Sequence, residues 1–258
     1  MSTQAIYEAV GASAMRRAAF ASAGTKGTYL DIGAGKGDLI RALEKAMTLS
    51  SRACDFHVEL FAPGKHVCTK VDLNSGTLPY ADSEFDLVTS SEVIEHIENF
   101  RGLLREAYRV TADDGVIVVT TPNVLNVKSR VRYLVSGFAN LFGPLPMSNL
   151  DRSCAGAHIS PIPYFYLAHA LREAGFENVE LRIDKAQKTS VLWLLLLAPI
   201  IFIGGARFMR LERARFKTLT PENEVFVKAH FSWRLLVGRT IVVSAVKPKA
   251  VRKAQIAA

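Results

Sequence analysis

Three residues with chemically active side chains lie close together in the segment SSEVIEHIENF: Glu92, Glu95 and His96. If the segment is helical, positions i, i+3 and i+4 share one face. Two carboxylates and one imidazole on one turn can hold a divalent ion, and the charges favour Mg²⁺ or Mn²⁺. His158, in AGAHISP, is a candidate fourth ligand from a loop. An interpretation without metal stays open, in which His96 or His158 is a general base and Glu92 caps a helix.

A glycine-rich turn, DIGAGKG, runs from Asp31 to Gly37. Gly33 and Gly35 allow the backbone to turn sharply and to approach a ligand without a side-chain clash. Asp31 ends the preceding strand, where its carboxylate can face a ligand's ammonium group. Asp55 follows about 20 residues later, where an acid can accept hydrogen bonds from both ribose hydroxyls. The turn alone is weak evidence, because several kinds of nucleotide-binding fold contain one.

The candidate residues can form one site only if the strands that carry them end beside one another. Short apolar runs predict strands at Thr28–Ile32, Ala53–Val58, Val67–Asp72, Phe85–Thr89, Gly115–Thr120, Val179–Ile183 and Thr240–Val246. Helical patterns run over Leu39–Met47, Val93–Val110, Asn123–Phe142 and Tyr164–Ala174. Strands that alternate with helices predict a doubly wound α/β domain with a mostly parallel sheet.

The order of motifs adds a family resemblance. DIGAGKG, VDLNSGTLPYADSEFDLVTSSEVIEHIE and GVIVVTTPN resemble, over about residues 26–126, the class I S-adenosylmethionine-dependent methyltransferases. The resemblance implies a Rossmann-like, seven-stranded sheet whose final strand, Thr240–Val246, inserts antiparallel at the edge. It also implies that Gly33 and Gly35 lie against the amino-acid end of S-adenosylmethionine, and that Asp31 reaches its ammonium group.

The same resemblance implies that Asp55 contacts the ribose, Asp72 the adenine amino group and Leu73 the adenine ring. The segment HVELFAPGKH, between Asp55 and Val67, is shorter than the helix usual in the family. Glu59 is therefore a second candidate for the ribose contact.

The E-x-x-E-H turn is similar to that of two metal-dependent branches, one methylating the 2′-hydroxyl of small RNAs and one methylating ubiquinone-precursor phenols. The resemblance implies that Glu92, Glu95, His96 and His158 hold one ion, which binds the acceptor oxygen and lowers its pKa. Similar turns also occur in methyltransferases that show no metal.

A segment beginning at the TPN turn, TTPNVLNVKSRVRYLVSGFANLFGP, resembles methyltransferases encoded among enzymes of cell-envelope polysaccharides and glycolipids. The resemblance implies that Arg130, Arg132 and Tyr133 stand over the acceptor, where arginine suits a phosphate or carboxylate. The alternative is an amphipathic lid helix whose basic face is solvated.

Charge and hydropathy set the second half of the chain apart. Residues 1–126 carry 12 basic and 16 acidic side chains, and residues 127–258 carry 20 and 8. Val191–Ile203, VLWLLLLAPIIFI, is uncharged and has basic residues on both sides. It is shorter than the about 20 residues of a spanning helix, and Pro199 is expected to interrupt it. We therefore expect a segment lying in an anionic membrane interface, a buried core helix or dimer contact being the alternative.

These observations predict one α/β domain of residues 26–184 with an acceptor lid at about 123–170. They also predict an N-terminal helix in 1–25, a hydrophobic and basic appendage at 185–235, and a final strand and basic tail at 236–258. An apolar content of 49% and three scattered cysteines exclude a disordered or disulfide-framed chain and favour a reducing cytoplasm.

The leading hypothesis is O-methylation of a lipid-linked sugar, glycolipid or polyprenyl phenol at the inner face of the membrane. RNA 2′-O-methylation is an alternative with less support, because the sequence shows no RNA-binding module. A cofactor-binding scaffold without turnover is a third interpretation. The sequence leaves the oligomeric state open.

Overall fold

The computed structural model describes residues 2–18, 26–62, 64, 66–145, 147 and 158–249. Within them, seven strands form one sheet in the order β3-β2-β1-β4-β5-β7-β6. The strands are β1 Gly27–Ile32, β2 Leu49–Asp55, β3 Cys68–Lys70, β4 Phe85–Ser91, β5 Thr111–Pro122, β6 Glu177–Ile183 and β7 Thr240–Val246. The expected Rossmann-like, doubly wound sheet is confirmed.

Helices pack on the sheet and extend beyond it. They are α1 Ser2–Arg17, α2 Asp38–Glu44, α3 Phe100–Val110, α4 Val127–Ser136, α5 Tyr164–Ala174, α6 Lys188–Leu211, α7 Pro221–Ala229 and α8 Trp233–Val237. A helix predicted over Asn123–Phe142 is shorter in the structure, because Asn126 caps α4 and Gly137 ends it in the left-handed region. The residues 19–25, part of the N-terminal segment, and Cys154 lie outside the described residues; Cys54 and Cys68 are free thiols.

Strand β7 corrects one expectation about the sheet. It is antiparallel to its neighbours, as expected, but it lies between β5 and β6 rather than at the edge. Strand β6 forms that edge instead. Six of the seven residues of β7 are buried, which fits a position with a paired strand on each side.

The parallel register places the carboxyl ends of β1, β2, β4 and β5 together. Asp31 of β1 is level with Ala53 of β2 and Thr89 of β4, and Ser91 of β4 is level with Thr120 of β5. In open α/β sheets this edge is where ligands bind. The candidate residues after these strands therefore share one face of the molecule.

The segment after β4 is not the helical turn that the spacing of Glu92, Glu95 and His96 predicts. Glu92 has a φ of 56°, in the left-handed region, and only Ile94–His96 form a short 3₁₀ turn. The α-helix begins later, at Phe100, where the side chain of Asn99 accepts a hydrogen bond from the Gly102 amide. Because of this change of backbone direction, Glu92 does not share a helical face with the other two residues.

Helix α6 is longer than the apolar run suggests. It continues through Pro199, which was expected to interrupt it, and through Gly204 and Gly205 to Leu211. With the π-helical turn that follows, Lys188–Phe216 forms 29 residues with a mean hydropathy of 2.1 in its most apolar window, of which 17% is buried. By length and composition this helix is able to cross a membrane.

Candidate active site at the carboxyl edge of the sheet

The glycine turn after β1 has the backbone geometry that a close ligand approach requires. Gly33, Gly35 and Gly37 have φ angles of 73°, 48° and 71°. A Cβ at Gly33 would lie 2.3 Å from Cγ2 of Val93, so a larger residue meets a packed side chain as well as backbone strain. The Gly33 amide donates to the Cys54 carbonyl at 2.8 Å, which ties the turn to β2.

Asp55 contacts this turn directly. Its Oδ2 accepts a hydrogen bond from the Gly35 amide at 2.8 Å, and its Oδ1 accepts one from the His57 amide at 2.7 Å. Glu59, the second candidate for the ribose, is exposed, and its Oε1 lies 2.9 Å from Nδ1 of His57. The Glu59 amide and, to a smaller extent, the His57 imidazole hold the pKa of Glu59 below its usual value. Asp55 is therefore the acid beside the glycine turn, although the helix after β2 is reduced to a 3₁₀ turn.

Asp31 is buried beneath the turn. Its Oδ1 accepts a hydrogen bond from the Thr89 hydroxyl at 2.7 Å, and the Tyr29 hydroxyl lies 2.7 Å from the same Thr89 oxygen. Burial raises the pKa of Asp31 to about 7, and the nearby Asp55 carboxylate adds to this rise. Hydrogen bonds from the Thr89 and Tyr29 hydroxyls act in the opposite direction and lower it. A cationic ligand group beside Asp31 would offset this cost of ionisation.

Asp72 and Leu73 lie at the turn after β3. The Asp72 Oδ1 accepts a hydrogen bond from the Asn74 amide at 3.0 Å, which makes a local side-chain turn and leaves Asp72 exposed. Leu73 packs against the main core. An exposed carboxylate next to a fixed leucine is an arrangement that can take up a purine ring.

Glu95, His96 and His158 come together as the sequence predicts. Their ligand atoms lie within 4.8 Å of one another, and the two imidazole rings are 4.8 Å apart at an angle of 72°. Glu95 is fully buried, and its Oε2 accepts a hydrogen bond from the Thr121 hydroxyl at 3.1 Å. Among the described residues, neither Oε1 of Glu95 nor Nδ1 of His158 has a hydrogen-bond partner. Two unpartnered polar atoms on residues of one such cluster are compatible with a bound cation.

The loop that carries His158 is tied to Glu95 through the main chain. The amides of Ile159 and Ser160 both donate to the Glu95 carbonyl at 2.9 Å. Phe142 packs against the imidazole, with ring centroids 5.2 Å apart. Burial and the neighbouring His96 lower the pKa of His158, so the neutral form, which can accept a proton or bind a metal, is favoured.

Glu92 does not belong to this group. Thr120 donates a hydrogen bond to Glu92 Oε1 at 3.1 Å, and the Glu92 amide donates to the Thr120 hydroxyl at 3.0 Å. Burial raises the pKa of Glu92 above its usual range. The arrangement that was expected to supply four ligands thus brings three of them together, with Glu92 directed towards β5.

The three residues expected over the acceptor have different surroundings. Arg130 is largely buried and donates to the carbonyls of Leu125 and His230, at 2.6 and 2.8 Å. Its burial lowers its pKa. Arg132 donates to the Ala139 carbonyl at 2.9 Å, and Tyr133 is exposed. Both guanidinium groups therefore fix the local chain, and Tyr133 has the freest side chain of the three.

Sequence reasoning missed several residues beside the site. The buried pair Asp184–Arg239, with Nε donating to Oδ2 at 2.8 Å, acts on the pKa of Glu92 from the ends of β6 and β7. Tyr7 of α1 lies near Asp38 and Asp31, and burial followed by these charges raises its pKa to about 12. No motif marks these residues, because each reaches the site through contacts distant in sequence.

Taken together, the edge of the sheet holds an anchored glycine turn and acids suited to a nucleoside with a cationic group. Next to them lies a pair of imidazoles with a buried carboxylate. Such an arrangement can bind a charged nucleoside cofactor and either remove a proton from a second substrate or hold a cation that polarises it.

Much of this sequence is similar to known proteins. Residues 7–181 match the family model of a methyltransferase domain. A demethylmenaquinone methyltransferase from Corynebacterium efficiens is 34% identical over 124 residues, which cover 46% of this chain and 49% of that protein. One from Mycobacterium sp. (strain KMS) is 28% identical over 197 residues, covering 69% and 80%.

The fold is shared with solved structures. A protein described as an S-adenosylmethionine-dependent methyltransferase from Archaeoglobus fulgidus superposes with a TM-score of 0.56 at 17% identity, covering 93% of this chain and 94% of that one. The chain spans about half the length of several curated relatives that it matches, with 49% of each covered.

Proposed function

Because the chain belongs to the S-adenosylmethionine-dependent methyltransferases, we propose that it methylates an oxygen atom of an amphiphilic, lipid-linked acceptor at the inner face of a membrane. The enzyme class and the cofactor follow from the family. The acceptor class rests on one observation. Helix α6, with its exposed apolar residues, packs against α4, which begins directly after the carboxyl end of β5.

The names of the relatives support a lipid-linked acceptor, whereas the choice of oxygen rests on the residues of the site and not on those names. They specify demethylmenaquinone, a polyprenyl quinone precursor, as the compound that is methylated. The acceptors expected from the sequence, a lipid-linked sugar, a glycolipid or a polyprenyl phenol, share with it an apolar chain and a polar ring. Such a molecule needs an enzyme that reaches the membrane surface.

The chemistry assigned to the site is an in-line transfer. The acceptor oxygen forms a bond to the methyl carbon while the bond from that carbon to sulfur breaks, and its electron pair stays on sulfur. The acceptor proton passes to His158 or His96, and the products are the methyl ether and S-adenosylhomocysteine. The remaining task of the protein is to align oxygen, carbon and sulfur.

A cation at Glu95, His96 and His158 is a further part of the proposal. One carboxylate and two imidazoles suit Mn²⁺ or Zn²⁺ better than Mg²⁺, which prefers oxygen ligands. When bound there, such an ion would lower the pKa of the acceptor hydroxyl. Without it, the same imidazoles act as the base.

The acceptor class is tested with S-adenosylmethionine labelled on the methyl group and a total cell extract, partitioned into organic and aqueous phases after the reaction. We expect label in the organic phase, and none with Gly33→Ala. Label in the aqueous phase alone would refute a lipid-linked acceptor, and its loss on nuclease treatment would identify RNA.

The cation is tested by titrating Mn²⁺ into purified protein and recording the bound fraction by electron paramagnetic resonance. We expect binding that His158→Ala removes and His169→Ala, at an exposed position on α5, leaves unchanged. Equal binding by both variants would refute the three-residue site. Methyl transfer that survives a chelator but not His158→Ala would assign the imidazole as the base.

A further inference from the structure

Helix α6 has two apolar faces with different surroundings. Leu194 is buried against Val127, Leu236 and Val237, from α4 and α8. On the opposite side, Leu192, Leu196 and Ile203 are 61%, 65% and 72% exposed. The spacing of these three, by four and seven residues, places them on one face of the helix. The domain itself covers one side of α6, and the other side is an apolar strip open to the surroundings.

Contacts along the inner face hold α6 flat against the domain. Near its start, the Lys128 amide donates to the Ser190 hydroxyl at 3.4 Å. About three-quarters of the way along, Gly205 lies so close to the Phe231 ring that a Cβ would be 2.3 Å from it. A helix held at both places lies along the surface of the domain. Crossing a bilayer would require both contacts to break, although the length of α6 is sufficient.

The strip ends in positive charge on both sides. Lys188 begins the helix, one turn before Leu192, and Arg207 and Arg210 continue the same face beyond Ile203. All three are exposed. Residues 185–217 contain seven basic side chains and one acidic side chain. An apolar strip with cationic ends complements a surface that is apolar inside and anionic at its headgroups. A second copy of the chain would bring like charges together.

A route leads from this strip towards the site. Helix α4, packed on α6, exposes Leu134 and Val135 in its last turn. After α4, Leu141 is exposed and the next residue, Phe142, is buried against the imidazole of His158. Leu141 is therefore exposed at the surface, and its neighbour Phe142 lies beside His158, the candidate base.

From these observations we infer that the outer face of α6, together with the last turn of α4, docks into the interface of an anionic phospholipid bilayer. The helix lies in the plane of the membrane, and the acceptor reaches His158 from the lipid past Leu141 and Phe142. The docking is inferred from the exposed apolar strip and its basic ends alone, whereas the entry route rests on the proposed function.

The test is flotation of the purified full chain with vesicles of phosphatidylcholine alone and with added phosphatidylglycerol. We expect at least about tenfold more protein on the anionic vesicles, decreasing with salt. Leu196→Ser with Ile203→Ser should remove most of the binding. The matched control is Val67→Ser, which is 79% exposed beside the β3 edge, and it should bind like the unchanged protein.

Charge is tested separately. Arg207→Glu with Arg210→Glu should abolish the preference for anionic vesicles, whereas Lys26→Glu with Arg105→Glu, exposed in other parts of the chain, should keep most of it. Equal losses in both pairs would mean that total charge, not this face, drives binding, and would overturn the inference.

Two other outcomes would also overturn the docking. Dimers without vesicles that Leu196→Ser with Ile203→Ser converts to monomers would assign the strip to a second copy. Resistance of the bound protein to extraction at high pH would assign α6 as a spanning helix. Because flotation needs no acceptor, its result is independent of the proposed function, which is measured as turnover on detergent-dispersed acceptor.

Discussion

Residues 27–122, which contain the proposed cofactor site, and residues 123–238, which contain α4 to α8, are held together in different ways. In the first, main-chain amides hold the functional groups, as when Gly35 donates to Asp55. In the second, side chains from distant segments decide what is buried, as when Asn123 donates to the carbonyls of Leu235 and Gly238. Local main-chain geometry builds the proposed cofactor site, whereas long-range packing decides which apolar face of α6 stays exposed.

In the region of the proposed cofactor site, the largest expected effect on S-adenosylmethionine affinity comes from a substitution at Gly33. Gly33→Ala should reduce affinity for S-adenosylmethionine beyond detection by calorimetry, because its Cβ strains a φ of 73° and meets Val93 at 2.3 Å. Gly137→Ala is the matched control, since Gly137 has the same φ but nothing within 4 Å of an added Cβ. Tight binding by Gly33→Ala would contradict the assigned turn.

The buried acid of the same region should show itself in the pH dependence of stability. The pKa of Asp31 rises from 3.8 to about 7 on folding, so its contribution to stability is fully present below about pH 4 and is lost as the pH rises through 7. Asp31→Asn should therefore gain stability relative to the unchanged protein between pH 4 and 8, by at most about 4 kcal/mol.

Urea denaturation of both proteins without cofactor at the two pH values measures this difference. The Thr89 hydroxyl can donate to Oδ1 of either Asp31 or the substituted asparagine. Loss of this hydrogen bond therefore does not account for a difference in stability that changes with pH. A difference that stays constant with pH would mean that Asp31 is ionised throughout in the folded protein.

Two leucines of α6, two residues apart, test which side of this helix the domain covers. Leu194→Ala should destabilise the fold by about 3 kcal/mol, because Leu194 is 8% exposed and packs against α4 and α8. Leu196→Ala, at 65% exposure, should change stability by less than about 0.5 kcal/mol. Thermal unfolding in detergent-free buffer measures both, and equal losses would mean that α6 is covered on both sides in solution.

A smaller effect separates the two acids after β2. Asp55→Asn should weaken S-adenosylmethionine binding tenfold to a hundredfold, or about 1.4–2.7 kcal/mol, through loss of a charged acceptor beside the glycine turn. Glu59→Gln should leave the affinity unchanged. Calorimetry on both variants decides between the acids, and the reverse pattern would transfer the ribose contact to Glu59.

The sequence predicts these two regions unequally, for physical reasons. The glycine turn, β4 and the cluster of Glu95, His96 and His158 follow from local signals and from the rule that parallel strands end at one edge. The left-handed backbone conformation of Glu92 could not be inferred, because the same residue types at the same spacing occur both in helices and in turns that reverse the chain. An apolar run such as α6 does not reveal which side the domain covers, because both sides carry the same residue types.

The smallest predicted effect lies where the two regions join. The Ser190 hydroxyl on α6 is 3.2 Å from Oδ1 of Asn126, which also caps α4 by accepting from the Ser129 amide at 2.9 Å. Ser190→Ala should cost about 1 kcal/mol of stability, because the hydroxyl loses its contacts with the Asn126 and Gln187 side chains and with the Lys128 amide, without changing S-adenosylmethionine affinity. Thr189→Ala, exposed one residue earlier, is the control. A loss of affinity in Ser190→Ala would mean that α6 is coupled to the cofactor site through α4, so that membrane docking and cofactor binding are linked energetically rather than separate properties of two regions.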